Sequence, residues 1–186
     1  MNIDKFRLLK DRRIVLGVCG SIAAYKAADL ASILTQAGAQ VRVVMTESAR
    51  KIISEDVLAT LSRNRVECDL WEKSPDWKPK HISLAEFAEV LLVAPATANT
   101  IANFAHGIAN DTLTCTYLAS TAKVLMAPAM NVAMFEHPAT QDNMQILKKR
   151  GVKFIEPAVG LLACGVCAKG KLADIEDILA AVIEEL

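Results

Sequence analysis

Residues 14–36 read IVLGVCGSIAAYKAADLASILTQ, and within this stretch a strand pattern gives way to a helix pattern. Residues 14–18 form a continuous apolar run with β-branched side chains, which predicts a strand buried on both faces. Apolar residues then recur at helical spacing over 22–36, and Gly38 ends the pattern. The stretch therefore predicts a strand, a tight turn at Gly20-Ser21 and a helix that starts at once.

The same alternation recurs along the rest of the chain. We predict further strands at residues 41–45, 89–94, 123–127 and 152–155, and helices at 48–61, 98–105, 113–120, 140–149 and 175–186. Near-continuous apolar strands separated by helices are typical of a parallel sheet covered on both faces. With right-handed crossovers, the pattern predicts an α/β fold, a Rossmann-like three-layer sandwich, as a single domain over residues 1–186.

Composition narrows the class of protein. The 186 residues carry 21 Lys plus Arg and 21 Asp plus Glu, and this balance argues against nucleic-acid and polybasic membrane binding. The sequence shows neither an apolar run of membrane-spanning length nor a secretory signal in its first residues, so we expect a cytoplasmic protein. The five cysteines are scattered, which does not suggest a disulfide framework. Cys164 and Cys167 alone are too few ligands for zinc, and we expect no metal site.

Ligands of such folds bind beyond the carboxyl ends of the strands. Gly20-Ser21 stands there, immediately before a helix whose N–H groups and dipole favour an anion such as phosphate. Thr46 and Ser48 follow the second strand and offer further hydroxyls to the same anion. The loop contains neither a dinucleotide nor a Walker A fingerprint, so a tight turn without a ligand remains the alternative.

Two later strands end in similar sequences, APATAN at residues 94–99 and APAMN at 127–131. Proline does not continue an interior ladder, so we expect the strands to stop at Pro95 and Pro128. Thr97, Asn99 and Asn131 then lie at the ligand edge, where a planar ring with hydrogen-bonding edges would fit. The alternative is two ordinary strand ends, with Thr97 as a helix N-cap.

A histidine and a glycine-rich segment complete the candidate residues. Ser83 and Glu86 have the spacing of a capping box, so His81 is expected just before a helix whose N-terminus favours a neutral, proton-accepting imidazole. A surface or packing role is the alternative for His81. Residues 160–171, GLLACGVCAKGK, place three glycines and two lysines around Cys164, which suggests a flap over a site.

Four segments in this order resemble the homo-oligomeric flavin-containing cysteine decarboxylases: CGSIAAYK at residues 19–26, PATANT at 95–100, PAMNVAMF at 128–135 and ACG at 163–165. The resemblance runs from about residue 13 to the last helix. It implies a flavodoxin-like flavoprotein domain with bound FMN. The cofactor-binding residues that it implies are Gly20, Ser21, Thr46 and Ser48 for the phosphate, and Ala96, Thr97, Asn99 and Met130 for the ring.

The resemblance also implies a reaction, the decarboxylation of 4′-phospho-N-pantothenoylcysteine to 4′-phosphopantetheine in coenzyme A biosynthesis. The flavin would oxidise the substrate thiol, CO2 would leave, and the enethiol would be reduced again. His81 would be the base, Asn131 would hold the substrate carboxylate and Cys164 would donate a proton. Ala163 and either Lys169 or Lys171 would bind the substrate, the lysine at its phosphate. Members of the family are trimers or assemblies of trimers.

The chain departs from the family pattern at a few positions. Val166 and Lys171 stand where bifunctional members carry Asp and Arg, and Lys lacks the bidentate fork of Arg. Phe135 replaces a common Trp. The partner domain of bifunctional members, which ligates cysteine to phosphopantothenate, is absent from this sequence, so either a separate phosphopantothenate–cysteine ligase carries out that step or the chain was cut. The alternatives are a peptidyl-cysteine decarboxylase, a flavin prenyltransferase, a non-catalytic regulatory subunit and a nucleotide-binding module without flavin.

Overall fold

The computed structural model of the protein describes residues 7–72, 77–161, 165 and 167–186. Its centre is a parallel sheet in the order β3-β2-β1-β4-β5-β6. The strands are β1 Arg13–Val18, β2 Gln40–Met45, β3 Val66–Glu67, β4 Val90–Ala96, β5 Lys123–Pro128 and β6 Lys153–Phe154. An antiparallel hairpin of β7 Ala158–Leu161 and β8 Cys167–Lys171 follows the sheet.

Helices connect these strands. A 3₁₀ turn, Ile22–Lys26, leads into the first α-helix. The helices are α1 Ala27–Gln36, α2 Glu47–Arg50, α3 Glu55–Ser62, α4 Lys80–Phe87, α5 Ala98–His106, α6 Thr112–Ala119, α7 Val132–Glu136, α8 Pro138–Lys149 and α9 Ile175–Glu184. In the described part of the chain, no helix has both the length and the apolar character needed to cross a membrane.

The core lies in two layers, because successive strand side chains point to opposite faces of a sheet. Ile14 and Leu16 of β1 belong to one buried cluster, together with apolar side chains of α1, α3 and α9. Val15 belongs to a second cluster, with side chains of α4, α5, α6 and α8. The prediction of a three-layer α/β sandwich is therefore confirmed.

Most predicted elements are present, but the single helix predicted at 48–61 is two helices, α2 and α3, separated by residues 51–54. One strand end was also predicted wrongly. β4 continues through Pro95 to Ala96 instead of stopping at the proline. The pairing of β4 with β5 changes register between Val93 and Ala96, so the missing N–H of Pro95 falls where the regular ladder is interrupted. As a result Ala96 is fully buried in the strand and does not lie in an open loop.

Candidate active site

A cavity of about 650 Å³ opens at the carboxyl ends of β1, β4 and β5. The order of the strands reverses between β1 and β4, which is where open α/β sheets bind their ligands. The cavity brings together residues from the turn after β1, the loops after β4 and β5, and β8. Those among them that the sequence predicted are Gly20, Ser21, Thr97, Met130, Asn131 and Lys171.

The turn after β1 has no space for a side chain at its glycine. A Cβ added to Gly20 would lie 2.4 Å from the Cβ of Ser48, far inside van der Waals contact. Ser21 caps the following 3₁₀ turn, where its hydroxyl accepts a bond from the backbone N–H of Ala23 at 3.4 Å. Gly20, Ser21 and Ser48 therefore form one compact corner of backbone and hydroxyl groups.

Thr46 contributes differently from the prediction. Its hydroxyl accepts a hydrogen bond from the N–H of Ala49 at 3.3 Å and so caps α2. Thr46 is not among the residues that line the cavity in the described part of the chain. The hydroxyl instead shapes the start of α2, which carries Ser48 to the corner beside Gly20.

The two loops with similar sequences contact each other through their backbones. The N–H of Ala129 donates to the carbonyl of Ala96 at 3.1 Å. Thr97 caps α5, as the alternative interpretation predicted, and it also lines the cavity. Asn99 lies exposed on α5, outside the set of described residues that line the cavity.

The hairpin is held against the loop after β5. The N–H of Met130 donates to the carbonyl of Gly170 at 3.0 Å. Gly170 has a φ of +138°, and a Cβ there would lie 2.3 Å from the carbonyl oxygen of Met130. Asn131 caps α7 by accepting a bond from Ala133 N–H at 2.9 Å. Glycine at 170 thus lets β8 approach the loop that presents Asn131.

The structure distinguishes the two lysines that the sequence left as alternatives. Lys169 Nζ lies 2.6 Å from Glu156 Oε2 and 5.5 Å from the centre of the Phe135 ring. Lys171 lies on the same strand but lines the cavity. Its side chain also passes Gly160, where an added Cβ would be 3.2 Å from Lys171 Cδ. Of the two lysines on β8, Lys171 is therefore the one available to a ligand in this cavity, where Lys26 is a further lining cation.

His81 lies in the first turn of α4, and the capping-box prediction is wrong. The helix begins at Lys80 after Pro79, three residues earlier than Ser83, whose hydroxyl instead accepts a bond from Arg42. Lys80 holds this start, because its buried ammonium group lies 2.7 Å from Glu67 and also contacts Glu72. Burial opposes the charge, but the hydrogen bonds to these carboxylates outweigh it and raise the pKa of Lys80.

The Nδ1 atom of His81 is buried and has no hydrogen-bond partner among the described residues. His81 is also outside the set of described residues that line the cavity of its own chain. Two further predicted residues, Ala163 and Cys164, lie outside the described residues. In the single chain, the predicted base and the predicted ligand pocket are therefore not brought together.

The residues of the cavity fit a flavin with a phosphate. The volume lies within the range of about 300–1,000 Å³ typical of small-molecule sites. The corner at Gly20 places backbone at a helix start, which favours a phosphate group. Ile22, Tyr25 and Met134 add apolar surface for a planar ring, and Thr97 and Asn131 add hydrogen-bonding groups.

The fold is that of an α/β protein with a parallel sheet. Its cavity is a candidate site for a ligand that contains a phosphate group and a planar ring. Residues 4–186 match the family described as Flavoprotein, and the chain belongs to this family. It is 48% identical over 172 residues to the "Coenzyme A biosynthesis bifunctional protein" of Bacillus subtilis, covering 92% of this chain and 42% of that protein. The chain thus spans less than half the length of this relative.

A relative of similar length is the "Probable phosphopantothenoylcysteine decarboxylase" of Streptococcus mutans. It is 44% identical over 177 residues, which cover 94% of this chain and 99% of that protein. Among solved structures, the FMN-dependent cysteine decarboxylase SpaF is similar with a TM-score of 0.82 at 33% identity, covering 95% of this chain and 98% of that one. These similarities agree with a flavodoxin-like fold over most of the chain.

Proposed function

We propose that this protein is an FMN-dependent phosphopantothenoylcysteine decarboxylase, a lyase of coenzyme A biosynthesis. The observation that carries the proposal is the cavity at the switch point of the sheet, which joins the Gly20 corner, Thr97, Asn131 and Lys171 in one site. The similarity to the Streptococcus mutans protein supports the substrate, and the similarity to SpaF supports FMN.

The chemistry that bound FMN supplies is the two-electron oxidation of the substrate thiol and the later return of those electrons. Gly20, Ser21 and Ser48 would hold the cofactor phosphate, and Thr97 and Met130 would contact its ring. Ala96 would help to position the loop after β5 through its backbone bond to Ala129. Thr46, Ser48 and Asn99 do not line the cavity among the described residues. We retain Ser48 because it packs against Gly20, whereas the Thr46 hydroxyl caps α2 and Asn99 lies exposed on α5, so we assign these two no direct contact.

The substrate would meet residues from three loops. Asn131 would bind the carboxylate that is lost as CO2, and Lys171 would pair with the phosphate at the other end of the substrate. Ala163 would contact the substrate, and Cys164 would return a proton to the decarboxylated product; both lie outside the described residues. Lys169 is committed to Glu156, so of the two lysines on β8 we assign the phosphate to Lys171.

We further propose that the active protein is a homotrimer or an assembly of trimers. His81 does not line the cavity of its own chain among the described residues, and its buried Nδ1 has no partner there. A neighbouring subunit would supply His81 as the base that removes the substrate proton. The enzyme would be cytoplasmic and would work with a phosphopantothenate–cysteine ligase, either as a separate protein or as a linked domain.

The proposal is tested by an anaerobic assay of the purified protein with phosphopantothenoylcysteine, in which the flavin spectrum and the product mass are recorded together. We expect bound FMN and a product lighter than the substrate by one CO2. Bound FMN with turnover only of a peptide ending in cysteine would contradict the substrate and retain the chemistry. A protein that binds no FMN would overturn the proposal.

A further inference from the structure

A fully buried cysteine lies directly beneath the cavity and is not used by the proposed reaction. Cys19 is the residue before Gly20, and its side chain has no exposed surface. Burial raises the pKa of its thiol to about 11, although hydrogen bonds from Thr100 and Thr97 partly oppose this effect. The thiol therefore stays neutral at physiological pH and is not poised as a nucleophile.

Cys19 instead joins the turn after β1 to the start of α5. The Thr100 hydroxyl donates to Cys19 Sγ at 3.2 Å, and the N–H of Cys19 donates to the carbonyl of Pro95 at 3.3 Å. Thr100 is itself buried. The hydroxyl oxygen of Thr97 lies 3.1 Å from that of Thr100, and it also accepts the N–H of Thr100 at 3.3 Å.

With the Thr100 hydroxyl as donor to Cys19 Sγ, the directions of the other hydroxyl hydrogens follow. A hydroxyl has one hydrogen to donate, and Thr100 gives its hydrogen to Cys19 Sγ. The short contact between the two threonine hydroxyls then requires Thr97 to be the donor and Thr100 the acceptor. The Thr97 hydroxyl then donates its hydrogen to Thr100, and one of its lone pairs accepts the N–H of Thr100. Only its second lone pair is left for the cavity, and this lone pair can only accept a hydrogen bond.

We propose that Cys19 and Thr100 are positioning residues that make the Thr97 hydroxyl an obligate hydrogen-bond acceptor in the cofactor site. The inference rests on the proposed function, since Thr97 lines the cavity assigned to FMN. An acceptor at this place selects an N–H group of a flavin ring and disfavours its carbonyl oxygens. Cys19 thereby acts on the ligand through two threonines without touching it.

The test measures release of FMN on serial dilution of the purified holoenzyme, followed by the fluorescence of the freed flavin. We expect Thr100→Val and Cys19→Ala to raise the dissociation constant about five- to tenfold, the value of one net hydrogen bond. Thr100→Ser and Cys19→Ser keep a hydroxyl donor or an acceptor and should stay within about twofold of wild type. The visible spectrum of bound FMN should shift in the first pair of variants only.

Thr116→Val is a matched control, because Thr116 is another fully buried threonine whose hydroxyl donates, at 2.7 Å, to its own helix at Thr112. It should cost stability without changing FMN release. A further comparison uses Thr97→Val: if Thr100 acts through Thr97, adding Thr100→Val to that variant should not weaken FMN binding again.

Several results would overturn the inference. One is FMN release from Thr100→Val that matches Thr116→Val, with an unchanged flavin spectrum. Another is a Thr97→Val/Thr100→Val double variant whose effect is the product of the two single effects. If Cys19→Ala does not fold, the threonine variants still decide the question. A wild-type protein that binds no FMN contradicts the proposed function itself, whereas tight wild-type binding with these results contradicts only the inference.

Discussion

Gly20 lies so close to Ser48 that a Cβ added to the glycine would stand 2.4 Å from the Cβ of the serine. The turn after β1 and the start of α2 are therefore packed backbone against side chain. This contact places the two groups that we assign to the cofactor phosphate side by side. It also means that this corner can form only if residue 20 has no Cβ.

Gly20→Ala should displace this corner and weaken FMN binding about 5- to 150-fold, because an extra methyl in a packed site costs about 1–3 kcal/mol. The matched test adds Ser48→Gly to remove the opposing Cβ. We expect the double variant to recover only part of the affinity, because it also lacks the Ser48 hydroxyl that we assign to the phosphate, and the backbone of Ser48 still lies 3.0 Å from the added carbon. FMN retention measured by dilution checks both variants, and full retention by Gly20→Ala would contradict the assignment.

Lys171 and Lys169 provide a matched pair of substitutions on one strand. Lys171→Ala should raise the KM for phosphopantothenoylcysteine about 10- to 100-fold, because a charge-assisted hydrogen bond contributes about 1.5–3 kcal/mol. Lys169→Ala should change KM by about twofold at most, since its exposed pair with Glu156 contributes little. Steady-state kinetics of both variants measure the difference.

The control is a substrate without the phosphate. Wild type and Lys171→Ala should process pantothenoylcysteine with similar KM values, because the lost interaction is then absent from both. A Lys169→Ala variant with the larger defect would reverse our assignment of the two lysines. An equal loss with both substrates would show that Lys171 supports the cavity and does not read the phosphate.

Local sequence patterns predicted most strands and helices of this protein. The remaining features depend on contacts between residues far apart in the sequence. β1 and α1 were predictable because their periodicity and the stop at Gly38 are local features. The start of α4 was not, because Lys80 is held by Glu67, at the end of β3, and by Glu72, which lie 8 or more residues away. β3, only two residues long, gives too short a pattern to detect.

The candidate site shows the same division. Gly20, Ser21 and Thr97 follow predicted strands, so the topology alone brings them to one edge. The choice between Lys169 and Lys171 depends on Glu156, which precedes β7 in the chain and pairs with Lys169 on β8. No sequence pattern identified Glu156 as the partner of a lysine. The hydrogen bond between Cys19 and Thr100 spans 81 residues, so it became visible only in the structure.

The buried thiol of Cys19 predicts a loss of stability at alkaline pH. Its pKa is raised from 9.0 to about 11, so above pH 9 the unfolded chain loses a proton that the folded chain keeps. The free energy of unfolding should therefore fall between about pH 9 and pH 11, by up to about 3 kcal/mol from this group. Urea unfolding at a series of pH values measures the slope.

Cys19→Ser is the variant to compare, because serine does not titrate in this range. Its unfolding free energy should fall less steeply with pH than that of wild type. Cys68 is present in both proteins, and burial raises the pKa of its thiol to about 12. Its contribution to the pH dependence is therefore common to both and does not affect the comparison. Parallel slopes for wild type and Cys19→Ser would show that the Cys19 thiol titrates alike in the folded and unfolded chains.

His81 offers the sharpest test of how the site is assembled. In the single chain its imidazole lies outside the cavity formed by the described residues, so we expect each base to serve the cavity of a neighbouring subunit. His81→Asn and Lys171→Ala homo-oligomers should each have little activity at low substrate while retaining FMN. Mixed oligomers, formed by co-expression with two tags, should regain activity, because some cavities then combine an intact His81 with an intact Lys171. If each chain used its own His81, every cavity of the mixture would lack one group, and mixing would restore nothing.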